Sequence, residues 1–210
     1  MPIRDEVKAL PLEFVADVAV YRVSILTSRT SAAIMYAEMG MTKDDSDYFL
    51  AGHSADEKEI IAQHIQQTFE TRKIFHFRRF SRDFAALYSA LEEATARCEI
   101  DHWIPSIWGA EVQIGASVAY SVFSVVLTGK IKDLRPLLDR YPGLRYDDYR
   151  ICHEAADQVR RDGADALYSY SSRHVEGTCC PIYAEFALKA GQRCSSVVWQ
   201  RQSDGRFVMQ

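Results

Sequence analysis

Hydrophobic positions along the chain switch between alternation and helical spacing segment by segment. Val18-Ala19-Val20-Tyr21-Arg22-Val23 is β-branched and aromatic and predicts an early strand with Arg22 inside it or at its end. A run of Thr and Ser then leads into Ala32-Ala33-Ile34-Met35-Tyr36. Asp44-Asp45-Ser46-Asp47 reads as an acidic turn. Ser54 and Glu57 have capping-box spacing, and Ile60, Ile61, His64, Ile65 and Phe69 recur behind them at helical intervals. Residues 40–74 therefore read as a helical insertion or lid. Ala85 to Ala90 predicts a short strand holding Tyr88, and Glu92 to His102 a helix carrying Glu99. Ala116 to Leu127 is strand-like by its Val and Phe content. Gly129 to Arg140 reads as a turn and short helix stopped by Pro142-Gly143, and Tyr149 to Arg161 as a helix ending at Gly163. Ala164 to Arg173 predicts a strand running into a polar turn, and Cys179 to Phe186 another strand. The segments around Val197-Val198-Trp199 and Arg206-Phe207-Val208 flank Asp204-Gly205 as a hairpin. Strands do not alternate strictly with helices, which predicts an α+β fold with a mixed sheet over a doubly wound one.

With 210 residues the chain fits one domain, 1–210, with the 40–74 insertion inside it. The formal net charge of −4 and the absence of a long basic stripe weaken a direct nucleic-acid role. Val112 to Leu127, the most apolar stretch, is shorter than the roughly 20 residues that cross a bilayer and is broken by Ser117, Tyr120, Ser121 and Ser124, so no membrane span is expected. The N-terminus goes straight into charged residues with no signal-peptide pattern, and the expected location is the cytoplasm. The five cysteines are irregularly spaced and odd in number; they fit neither a disulfide framework nor a zinc site and are read as reduced thiols.

Five short segments carry more than composition does: Tyr21-Arg22-Val23; Arg78-Arg79-Phe80-Ser81; Ala86-Leu87-Tyr88 through Thr95-Ala96-Arg97-Cys98-Glu99; Asp165-Ala166-Leu167 through Tyr170-Ser171-Ser172-Arg173 and Gly177; and Ser203-Asp204-Gly205-Arg206. In this order they resemble the RES family, named for an Arg, a Glu and a Ser. Arg78 stands where that family usually has Gly, and Tyr170 where it has Pro. The resemblance spans about residues 18–207 and matches 40–74 poorly. It implies an ADP-ribosyltransferase-like α+β fold, with a mixed or antiparallel β core flanked by helices. It also implies a toxin of a toxin–antitoxin pair that consumes NAD⁺ by hydrolysis or phosphorolysis, no metal, and a cognate antitoxin protein as partner. Whether the chain forms a homo-oligomer stays open.

The resemblance also implies roles for particular residues. Cleaving the nicotinamide glycosidic bond passes through an oxocarbenium-like ribosyl cation, which a carboxylate stabilises; Glu99 is the candidate. Guanidinium groups hold pyrophosphate oxygens in pairs of hydrogen bonds, a task assigned to Arg22, Arg79 and Arg173. Tyr88 offers an aromatic face to the cationic nicotinamide ring, and Ser171 a hydroxyl to its carboxamide or to a ribose oxygen. Taken alone, each residue has a plainer reading: Arg22 as an edge-strand arginine, Glu99 as a solvated helix carboxylate, Tyr88 as a core aromatic and Ser171 as a turn hydroxyl. Two other functions stay open, a protein ADP-ribosyltransferase and a catalytically inactive binding module on the same fold.

Overall fold

The computed structural model of the chain describes residues 2–24, 42–50, 57–70, 78–109, 111–146 and 149–210. The expectations for Ala32 to Tyr36 and for the cap at Ser54 lie outside them. The elements in chain order are α1 (Ile3–Ala9), β1 (Glu13–Ser24), α2 (Lys43–Leu50), α3 (Glu57–Glu70), β2 (Leu87–Ala90), α4 (Glu93–Trp108), β3 (Ser117–Asp133), α5 (Tyr149–Arg161), β4 (Ala166–Tyr170), β5 (Thr178–Ile182), β6 (Leu188–Arg201) and β7 (Phe207–Met209).

The strands form one sheet in the order β1-β2-β5-β4-β3-β6-β7, and a further pairing of β1 with β3 closes its first five strands into a circuit. Every pairing is antiparallel except β3 with β4. The fold is therefore α+β with a mixed, mainly antiparallel sheet, as the sequence predicts. β3 is its spine, pairing with β1 along one edge and with β6 and then β4 along the other.

Alternation along β3 sorts its side chains onto two faces. Tyr120 and Val122 pack with Ala96 and Ile104 of α4 and with Trp199, whereas Phe123, Val125 and Leu127 pack with Ile61 and Ile65 of α3 and with Val20 and Leu87. The apolar stripe of α3 is thus part of a wall of the main core. A third cluster joins Ile3 and Val7 of α1 to Cys152, Ala155, Ala156 and Val159 of α5 and to Phe80.

Two local expectations are corrected. Asp44 and Asp45 lie in the first turn of α2, not in a free turn: Thr42 Oγ1 accepts the Asp45 backbone N–H at 3.2 Å, an N-cap contact, and acidic residues at a helix start suit its positive end. Gly129 does not end the third strand. β3 runs through it to Asp133 because it is a site of close approach: a Cβ there would meet Asp165 Oδ2 at 2.8 Å, and that carboxylate accepts the Lys130 N–H.

Candidate active site

Thr95, Glu99 and Trp103 succeed one another at four-residue intervals on α4 and so share one stripe of the helix. Glu99 and Trp103 face a cleft of about 420 Å³, a size within the range of small-molecule sites. Arg22 of β1, Tyr88 of β2, Arg78 and Arg79 of the intervening turn, Arg173 after β4 and Cys179 of β5 complete its polar and aromatic wall. Trp103, Ile107 and Tyr149 form an apolar side. The structure therefore brings Arg22, Arg79, Tyr88, Glu99 and Arg173 together on one cleft.

Ser171 lies one layer behind that surface and has no exposed area. Its Oγ donates to Glu99 Oε1 at 2.5 Å and accepts the backbone N–H groups of Arg173 at 3.0 Å and His174 at 2.9 Å. These contacts use the hydroxyl's one proton and both lone pairs. In this arrangement it holds the carboxylate and the following turn.

The same turn is fixed from two more sides. Arg145 donates to the Ser171 carbonyl at 2.8 Å and to the Val175 carbonyl at 2.6 Å. Thr95 Oγ1 donates to Glu92 Oε2 at 2.7 Å, so its 2.8 Å contact with His174 Nδ1 requires that nitrogen to be the donor. Gly177 closes the turn against Thr95: a Cβ there would come within 2.2 Å of Thr95 Oγ1.

Arg79 is nearly buried. Its NH1 donates to Ser172 Oγ at 2.7 Å, and its NH2 stands 3.9 Å from Glu99 Oε1 and 3.6 Å from Cys179 Sγ. Burial opposes its charge, but the neighbouring Cys179 and Glu99 outweigh that and hold it above its ordinary value. Burial pushes the Cys179 thiol itself well up, with Glu99 adding to the shift. The thiol therefore stays protonated, and Glu99 is the operative counter-charge for Arg79.

Arg22 has no such counter-charge among the described residues. Its NH1 donates to the Tyr88 carbonyl at 2.6 Å, its buried Nε has no hydrogen-bond partner, and it makes no ion pair among the described residues. Burial, aided by Arg78, pushes it down from its ordinary value to about 9. A guanidinium in that position is poised for an anion.

Tyr88 presents its ring to the cleft while its hydroxyl is spent on the turn, accepting the Phe80 N–H at 2.8 Å and donating to Ser81 Oγ at 3.2 Å. The Arg78 guanidinium already lies 5.2 Å from the ring centroid, so the residue that departs from the family pattern occupies the aromatic neighbourhood. Sequence reasoning did not assign Arg78, Cys179, Tyr149 or Trp103 to the cleft. The four-residue spacing from Glu99 is the signal that could have found Trp103. Among the described residues no group of three His, Cys, Asp or Glu side chains could hold a metal ion, and no helix is long and apolar enough to cross a membrane.

The fold and cleft define an α+β domain that anchors one carboxylate by a single oxygen among arginines. The chain belongs to the RES domain family, whose sequence model matches residues 62–206. No curated protein matches it in sequence. Among solved structures it is similar to a chain in the crystal structure of the M. tuberculosis MbcT-MbcA toxin-antitoxin complex, with 11% identity, 92% of each chain covered and a TM-score of 0.53. At that identity the likeness is one of fold.

Proposed function

We propose that the chain is an NAD⁺-consuming enzyme that breaks the nicotinamide N-glycosidic bond, with water or phosphate as acceptor. The observation that carries this reading is the presence on one cleft of an anchored Glu99 and of Arg22, a half-buried cation with no carboxylate partner among the described residues. Membership of the RES family supports it.

In the reaction the C–N bond breaks with its electron pair going to the nicotinamide nitrogen, which leaves as neutral nicotinamide. The ribosyl cation left behind is stabilised by Glu99, whose Oε2 accepts no hydrogen bond from the described residues and so remains available to a ribose hydroxyl. Arg22, Arg79 and Arg173 bind pyrophosphate oxygens, and the Tyr88 ring borders the nicotinamide. Water adds to the cation and loses a proton to give ADP-ribose; phosphate adds in its place to give the 1-phosphorylated sugar.

The toxin–antitoxin complex that contains the similar fold supports a toxin role, with a cognate antitoxin protein covering the cleft. Residues 40–74 would then act as a helical insertion within one 1–210 domain, and the cytoplasm would be the place of action.

The test follows NAD⁺ and its products by chromatography for the wild-type chain and Glu99→Gln, with and without phosphate. Loss of NAD⁺ with the wild type and none with the variant is expected, and the product names the acceptor. Equal activity in Glu99→Gln would remove the mechanism. If NAD⁺ disappears while a protein gains mass, the acceptor is a side chain and the enzyme is an ADP-ribosyltransferase. If NAD⁺ raises the thermal midpoint and is not consumed, the fold serves binding alone.

A further inference from the structure

The contacts that the described residues make to Glu99 all fall on one oxygen. Oε1 receives the Ser171 hydroxyl at 2.5 Å and the Cys179 thiol at 3.2 Å, and it faces Arg79 NH2 at 3.9 Å. The last distance is too long for a hydrogen bond. Cys179 Sγ fills that gap, because it accepts from Arg79 NH2 at 3.6 Å while donating to Oε1. We infer that Cys179 is a positioning residue for Glu99: its thiol bridges Arg79 to Oε1, and together with Ser171 it fixes the carboxylate so that Oε2 is the oxygen presented to substrate.

This inference rests on the proposed glycosidic cleavage for its kinetic meaning, though not for its geometry. Three elements converge on the carboxylate of α4: the 78–81 turn through Arg79, the turn after β4 through Ser171, and β5 through Cys179. A carboxylate held by one oxygen alone can still swing about its last two torsions; a second donor from a different direction removes much of that freedom. The bridge requires a protonated sulfur, since a thiolate cannot donate. Burial and the nearby Glu99 keep the thiol protonated. Cys179 is 6% exposed and borders the cleft, so it is held close to the reacting group without offering a ready nucleophile.

Two measurements on the full chain decide the matter. In steady-state NAD⁺ turnover, Cys179→Ala lowers kcat about tenfold with KM nearly unchanged, the effect of losing one hydrogen bond to a charged acceptor. Cys179→Ser keeps a donor and recovers most of that loss, while the two variants unfold at similar temperatures. Wild-type kcat in Cys179→Ala, or an equal fall in the Ser variant, overturns the inference. The second measurement needs no turnover. The difference infrared spectrum of wild type against Cys179→Ser isolates the Cys179 S–H stretch, which lies below the free-thiol frequency and moves up in Glu99→Gln. A band that stays put when Glu99 is replaced overturns the bridge, whatever NAD⁺ does. A wild type that leaves NAD⁺ intact yet shows the moving band removes the proposed reaction and keeps the bridge.

Discussion

His64 lies on the inner side of α3 with its ring edge-on to Phe123, the centroids 5.7 Å apart, and its Nε2 is buried without a partner among the described residues. Burial, with the positive charge of Arg22 added, pushes it down from its ordinary 6.5 to about 4. Between those values the folded protein carries a neutral ring while the unfolded chain carries a proton. The unfolded state then binds more protons, so stability rises with pH across the window and is lost as pH falls from 6.5 toward 4. The shift corresponds to at most about 3 kcal/mol. His64→Leu removes this contribution. Urea midpoints at pH 4.5 and pH 7 should therefore lie further apart in the wild type than in the variant, since the carboxylates are common to both. Equal gaps would show that the ring gains its proton without cost. The same residue bears on the site: a neutral His64 lends no positive charge beside Arg22, so at neutral pH it adds nothing to the attraction of that guanidinium for an anion.

Among the elements, the turn from Ser171 to Gly177 determines whether the carboxylate is held, and it is fastened to α4 at Thr95. Thr95 is fully buried, so it cannot retreat from a new neighbour. In Gly177→Ala the added methyl would sit 2.2 Å from Thr95 Oγ1 and 2.6 Å from His174 Nδ1, and overpacking of this kind costs about 2 kcal/mol. Both the thermal midpoint and kcat should fall. Adding Thr95→Ala should restore part of the midpoint in the Gly177→Ala background and lower it in the wild type, a coupling that places the clash at this contact. Strictly additive effects would place it elsewhere. The sequence carried much of this region: the β1, β2 and α4 segments were readable from β-branched runs and helical spacing, and the order of short motifs placed Arg22, Tyr88 and Glu99. Cys179 gave no signal, because one cysteine in an apolar strand has no spacing to read, and its role depends on β5 passing beside α4. The sequence offered Ser171 as a candidate but gave no sign that it lies behind the cleft surface, since a hydroxyl's partners are fixed by the turn that surrounds it. Gly129 looked like a strand end because glycine marks both turns and close approaches, and only the position of Asp165 separates them. The helical pattern of α3 was plain, whereas the destination of its apolar stripe in the main core depended on strands distant in sequence.

At the scale of the molecule, the end of the β3 spine carries a second polar assembly, apart from the residues that line the cleft. Lys132 is 2% exposed, and its Nζ donates to Asp162 Oδ2 at 2.5 Å and to the Val7 carbonyl at 2.7 Å, clipping α1 and the end of α5 to the sheet. Lysine here also serves the last carbonyls of α1 as a C-terminal cap. The two partners of this ion pair are unequal. Asp162→Asn strands a buried ammonium, a loss of about 3–5 kcal/mol, or about 10 °C in a chain of this size. Lys132→Met keeps the stem's bulk and removes the charge. It leaves Asp162, which is partly exposed and accepts from Gln158 Nε2 at 2.8 Å, with other partners, so the loss is smaller. The ordering Asp162→Asn below Lys132→Met below wild type is expected in thermal unfolding. No residue of this clip lines the cleft. At a temperature where all three chains are folded, Lys132→Met should therefore turn over NAD⁺ with the wild-type kcat. A midpoint that falls without kcat makes the clip a support of the fold alone, whereas a fall in both would mean that β3 transmits the position of α1 to the carboxylate on α4.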